Sequence, residues 1–265
     1  MKLSVSNIGW KAEDDQQVYE LMQKYGFTGL EIAPTRIFSD SPYENLSAAK
    51  SWAVGIKNDN GFDISSMQSI WYGRSEKVFG SEEEKAFLIN YTKKSIDFAE
   101  IIGCRNLVFG CPRNRSIPED AKVEDSITFF KAIGDYASEH GCVVAMEANP
   151  PIYNTNFINT TEHALNLIKM VDSDGFLLNL DVGTMVENGE DVSVLAGNEK
   201  YIHHVHISEP GLKPIKKRDL HNKLADMLRS VNYNGFVSIE VGKQERLDDL
   251  ASMMKYIKDV FGRYS

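Results

Sequence analysis

Four side chains able to hold a divalent cation stand at or beside the C-terminal ends of short apolar runs. They are Glu147 in VVAMEANP, Asp181 in LLNLDVGT, His206 in HHVHISEP and Glu240 in FVSIEV. Three carboxylates and one imidazole make a mixed oxygen and nitrogen donor set. Mn²⁺ suits it first, because imidazole is softer than Mg²⁺ prefers, and Mg²⁺, Co²⁺ and Zn²⁺ are also compatible. A cation held this way leaves positions open for two substrate oxygens, polarises a bound carbonyl and acidifies the neighbouring carbon. Two glutamates approaching from different sides could then remove a proton and return it, each transfer contributing about 10²- to 10⁴-fold. The implied chemistry is isomerisation or epimerisation through a metal-bound enediolate. Taken singly, a strand-end carboxylate can equally cap a helix or pair with a nearby cation; the four in order form a pattern.

The elements that must position them follow from the spacing. The four residues lie 34, 25 and 34 positions apart, close to the roughly 31 residues per strand-helix unit of an eight-unit barrel. Strands are expected at LSVSN from Leu3, GLEIA from Gly29, DISSMQ from Asp63, NLVFG from Asn106, VVAME from Val143, FLLNLD from Phe176, HVHIS from His204 and FVSIEV from Phe236. Amphipathic stretches such as DDQQVYELMQKYG and EDSITFFKAIGDYASEHG lie between them, several ending at a glycine suited to a left-handed cap: Gly26, Gly103 and Gly141. An open doubly wound sheet would show the same alternation, but neither a GxGxxG nor a GxxxxGK[ST] phosphate cradle is present. The expectation is therefore a single α/β domain over residues 1–265, a (β/α)8 TIM barrel, whose strand ends converge on one face. Residues 34–47 and 71–81 read as polar loops on that face, forming part of a pocket or lid.

Bulk properties exclude other classes. A net charge of −9 argues against sequence-independent binding to nucleic acid or anionic lipid. No apolar run approaches the roughly 20 residues that span a bilayer. Cys104, Cys111 and Cys142 are too few and too irregular for a disulfide framework, and read as reduced, buried thiols of a cytoplasmic protein. A small-molecule partner is expected, with no nucleic acid and no membrane, and pairing into a homo-oligomer is common for such barrels.

A second tier of residues carries an ordinary reading beside the functional one. Asn149 could donate to a substrate oxygen or simply precede the Pro150–Pro151 turn. Glu209, with Ser208, could bind hydroxyls or lie solvated in a loop. Arg218 ends KPIKKR, a basic stretch after the seventh strand that suits a phosphorylated substrate or an exposed loop. Trp71, like Trp10 and Tyr72, could stack on a sugar or pack in the core. His221 could reach the pocket or belong to a helix. His204 shares a face with His206 and fits the barrel core or a supporting hydrogen bond to the metal ligands.

The chain resembles the sugar phosphate isomerase/epimerase family, the xylose isomerase-like TIM barrels. The resemblance is carried by GLEIAPTR near Glu31, VVAMEANP, LNLDVGT, HVHISEP and YNGFVSIEV. In the ketose 3-epimerases of that family the matching Glu, Asp, His and Glu bind one divalent metal and the two glutamates exchange the proton. The resemblance implies those roles for Glu147, Asp181, His206 and Glu240, and a sugar or sugar phosphate as substrate. It also has limits. Those epimerases place a Glu, a His and an Arg where this chain has Tyr153, Thr184 and Leu212. The endonuclease branch uses further histidines after the second and third strands, and no histidine precedes His140 here. The alternatives are a dehydratase of a polyol or keto-cyclitol, and a barrel that binds a sugar without turning it over.

Overall fold

Alternating apolar runs and amphipathic stretches become eight parallel strands among the described residues, each paired with the next, with the last closing on the first. The computed structural model describes residues 1–262. The strands are β1 (Lys2–Ser6), β2 (Gly29–Ile32), β3 (Asp63–Met67), β4 (Asn106–Phe109), β5 (Val143–Glu147), β6 (Phe176–Asp181), β7 (Ile202–Ile207) and β8 (Phe236–Ile239). Helices α1 (Asp15–Tyr25), α2 (Pro34–Ile37), α3 (Leu46–Asn60), α4 (Glu82–Ile101), α5 (Ile127–Glu139), α6 (Thr161–Val171), α7 (Val182–Asn188), α8 (Asp219–Ser230) and α9 (Leu247–Phe261) alternate with them. No helix among the described residues is long and apolar enough to cross a membrane.

Local chemistry sets the boundaries. Gly26, Gly103 and Gly141 adopt φ of 75°, 73° and 64°, a left-handed backbone that costs a glycine little. Ser81 and Glu84 form a reciprocal capping box at the start of α4. The stretch read as a polar loop after β2 contains α2, with Pro34 at its first position, and gives way to α3. The Asn45 side chain caps α3 by accepting from Ala48 N at 3.1 Å. β7 starts at Ile202, two residues before the expected start. β8 stops at Ile239, although Glu240 N still donates to Ile207 O at 3.0 Å.

Strand alternation divides the barrel into two environments. Leu3, Val5, Leu30, Leu107, Phe109, Val144, Leu178, Val205 and Val237 are buried in the apolar core shared with the helices. Around β4 to β6 that core is aromatic: Trp71 meets Phe109 edge-on at 4.7 Å, Phe130 meets Phe109 at 5.1 Å and Phe130 stacks on Phe176 at 5.0 Å. Burying each such ring contributes roughly 1.5–3 kcal/mol. Inside the barrel the buried side chains are mostly polar: Ser4, Ser6, Glu31, Ser66, Asn106, Asn179, His204, His206 and Ser238, with Val108 and Ala145 among them. Hydrogen bonds cross it, from His203 Nδ1 to Asn106 Oδ1 at 2.7 Å and from His204 to Glu31 at 2.9 Å. A hydrogen-bonded interior gives β5 to β8 a fixed register, which sets Glu147 opposite Asn179, Asp181 opposite His206, and His206 opposite Ser238.

Candidate metal centre

Closure of the barrel brings the four sequence-predicted ligands together. Glu147, Asp181, His206 and Glu240 each offer a ligand atom, and those atoms lie within 4.8 Å of one another. Ligands about 2.0–2.6 Å from a shared cation stand at most about 5 Å apart, so the cluster is the right size for one divalent ion. His206 is fully buried. Its Nδ1 lies 3.0 Å from Glu147 Oε1 and 3.3 Å from Glu240 Oε2, and its Nε2 lies 2.9 Å from Glu31 Oε2. Glu147 is further held by Asn179 Nδ2, which donates to Oε1 at 2.7 Å, and by Asn149 Nδ2, which donates to Oε2 at 3.1 Å. Asp181 keeps the ordinary role of a strand-end carboxylate as well. Its Oδ1 accepts from Thr184 N at 2.5 Å at the start of α7, and its Oδ2 accepts from Ser208 Oγ at 2.5 Å.

The electrostatics of the cluster fit a cation. Burial, with the charge of Glu147 beside it, pushes Asp181 up to about 6. Burial likewise lifts Glu240 to about 7, and the charges of Glu147 and Asp181 add to the shift. Burial alone would depress the His206 imidazole, but the carboxylates of Glu31 and Glu240 outweigh it and hold it well above the usual histidine range. Three carboxylates crowd one cavity whose lining contains neither lysine nor arginine among the described residues. A divalent ion would offset that crowding more fully than the His206 imidazole beside it does.

The cavity over this cluster is about 220 Å³, and its walls come from seven of the eight strand ends. Gln68, Ser69, Asn149 and Ser208 contribute polar groups, and Ile8, Val108, Pro112, Tyr153 and Leu212 contribute apolar ones. Ser69, Cys111 and Leu212 line it with left-handed backbones at φ of 55°, 43° and 54°. Such conformations cost a non-glycine residue about 1–3 kcal/mol and concentrate at functional sites. The loops after β5, β7 and β8 are tied together above it: Gly211 N donates to Tyr153 Oη at 2.9 Å, and Gly242 N donates to Leu212 O at 2.8 Å. Cys111 therefore faces the cavity, whereas Cys104 and Cys142 are buried free thiols.

The second-tier residues divide. Asn149 and Ser208 line the cavity. Glu209 and Arg218 do not: Arg218 Nε and Nη2 grip the two Glu209 oxygens at 2.7 and 2.5 Å, a bidentate pair that braces the loop after β7. The remaining cations of KPIKKR, Lys213, Lys216 and Lys217, are exposed. Trp71 packs beneath the loop after β3, with its indole N–H donated to Thr92 Oγ1 at 2.9 Å, so its ring faces Phe109 and Phe129 instead of the cavity. His221 is buried between Tyr256 and Phe261, with Nδ1 2.9 Å from Tyr256 Oη. Trp10 is buried with Arg36 over its ring, and Tyr72 is exposed away from the cavity.

Two residues with no role assigned from sequence matter here. Glu31 is an acid inside the apolar run GLEI, and a fully buried charge in such a run was a legible signal. Arg115 is fully buried, donating from Nη1 to Glu147 O at 2.8 Å and from Nη2 to Asn149 Oδ1 at 2.9 Å. Its loop gave no signal in sequence.

The closed parallel barrel agrees with the sequence comparison: the chain belongs to the xylose isomerase-like TIM barrel family, whose sequence model it matches over residues 19–260. No curated protein sequence matches it. Its fold is similar to that of a 3-keto-D-glucoside 4-epimerase from E. coli, with a TM-score of 0.76 and 18% identity over 98% of this chain and 99% of that one. A D-psicose 3-epimerase from Clostridium cellulolyticum gives 0.79 and 16% over 99% and 100%. A probable 3-DHS dehydratase from Bacillus anthracis gives 0.70 and 18% over 97% and 99%.

Proposed function

We propose that the protein is a divalent-metal-dependent isomerase or epimerase of a sugar or sugar derivative. The observation that carries this reading is the placement of Glu147, at the end of β5, and Glu240, just past β8, both against His206 Nδ1 and both lining one cavity. When bound, a cation on Glu147, Asp181, His206 and Glu240 supplies a Lewis acid for a substrate carbonyl, and Mn²⁺ fits the donor set first. The protein's own part is proton handling. Glu147, oriented by Asn179 and Asn149, is placed to take a proton from the carbon beside the carbonyl. Glu240, buried and held above the ordinary carboxylate range, is placed to return one. Membership of a family whose structural neighbours include two named sugar epimerases supports the reading. Metal-loaded protein incubated with ketoses and keto-glycosides in deuterated water is expected to place deuterium at carbon without loss of water. Glu147→Gln and Glu240→Gln are each expected to slow this by about 10²- to 10⁴-fold. A substrate that binds but exchanges no proton would leave a sugar-binding barrel instead.

One observation favours dehydration as a second reading. Tyr153 stands in the cavity with its oxygen already accepting from Gly211 N, which leaves its O–H free to protonate a departing hydroxyl. A new conjugated-carbonyl absorbance with release of water would select it.

A further inference from the structure

We propose that Glu31 is the positioning residue of the metal centre, selecting which nitrogen of His206 is offered to the cation. The inference rests on the metal-binding reading above. Glu31 comes from β2, yet it meets β7 inside the barrel, and its side chain is fully buried. One oxygen, Oε2, lies 2.9 Å from Nε2 of His206 and 2.9 Å from Nε2 of His204, while Oε1 has no hydrogen-bond partner among the described residues. Two imidazole N–H groups thus supply the hydrogen bonds that this carboxylate side chain accepts from the described residues. The two rings stand edge to face at 5.3 Å and 86°, so each approaches the shared oxygen from its own direction.

A carboxylate only accepts hydrogen bonds, so both Nε2 atoms must carry protons. For His206 this leaves Nδ1 as the nitrogen facing Glu147 and Glu240: without a cation it shares a proton with them at 3.0 and 3.3 Å, and a bound cation would take that proton's place. Glu31 therefore fixes both the tautomer and the ring orientation of the cluster's imidazole, and His204 keeps Glu31 from swinging away. A glutamine at position 31 would do this less well. Its one oxygen could accept from both rings as Oε2 does, but without the charge that strengthens those bonds, and in its other rotamer the NH₂ would turn one Nε2 into an acceptor. If that ring were His206, its proton would move to Nδ1, the position the cation needs.

The test uses metal alone. Calorimetric titration of the full chain with Mn²⁺ is expected to show one site in the wild type, none in Asp181→Asn, and affinity lowered about 10- to 100-fold in Glu31→Gln. Histidine ¹⁵N–¹H spectra of Zn²⁺-loaded wild type provide a readout that needs no variant. They are expected to show the His206 proton on Nε2, slow to exchange, with the metal on Nδ1. Unchanged Mn²⁺ affinity in Glu31→Gln alongside lost binding in Asp181→Asn, or a proton on Nδ1 in the loaded wild type, overturns the assignment of Glu31 and leaves the metal site standing. A wild type that binds neither ion overturns the metal reading and this assignment with it.

Discussion

The two ends of the barrel differ in a way that separates size from function. At the N-terminal end of the strands lies a cavity of about 950 Å³ lined by Met1, Lys2, Tyr25, Lys57, Asp63 and Lys258 among others. At the C-terminal end the cavity is about 220 Å³. The larger one holds scattered surface charges, typified by the half-exposed Lys57–Asp63 pair at 2.6 Å. Water screens such charges. The smaller one gathers buried carboxylates whose protons are held by burial and mutual repulsion, around an imidazole aimed from beneath by Glu31. What marks a candidate functional site is convergence of desolvated, mutually perturbed groups, and volume is a poor guide to it.

Matched substitutions at the two ends sharpen the contrast. Asp181→Asn is expected to abolish the rise in melting temperature that Mn²⁺ gives the wild type, a loss of about 2.7 kcal/mol where the metal stands a hundredfold above its Kd. Asp63→Asn at the opposite end removes an exposed pair, and should cost less than about 1 kcal/mol while leaving the Mn²⁺ response whole. Equal effects at both ends would erase the distinction. A smaller effect is the pH dependence of the response. Asp181 and Glu240 are raised, and His206 is raised as well, so protons compete with the cation for all three. Each must be lost on binding, so metal stabilisation should grow as pH rises from about 5.5 to about 7.5, and a response that shrank would mean the cation sits elsewhere. The smallest expected effect is Trp71→Phe. Losing the indole hydrogen bond to Thr92 should cost about 1 kcal/mol in chemical denaturation and leave Mn²⁺ affinity unmoved, consistent with a packing role.

How far the sequence could be read depended on whether a residue's environment came from its own segment or from distant ones. Strand ends were legible because apolar runs of four to six residues bounded by glycine caps carry their own signal, and the candidate ligands sit at a near-regular interval along them. Trp71, Arg218 and His221 were ambiguous because an aromatic or basic residue near a strand end looks the same whether it faces the cavity or the helix layer. Thr92, Glu209 and Tyr256 decide between those, and they lie 21, 9 and 35 residues away. Arg115 was invisible, since its partners Glu147 and Asn149 lie on the following strand and the loop beyond it.

The chain's letters alone determined the strand-helix period, the count of eight units, and the donor types at four strand ends, because periodicity and side-chain chemistry are local properties. Only the folded barrel decided which groups share the cavity, which nitrogen of His206 faces it and how far each acid is raised. Those outcomes depend on desolvation and on pairs such as Glu31 with His206, 175 residues apart, that meet only after the sheet has closed.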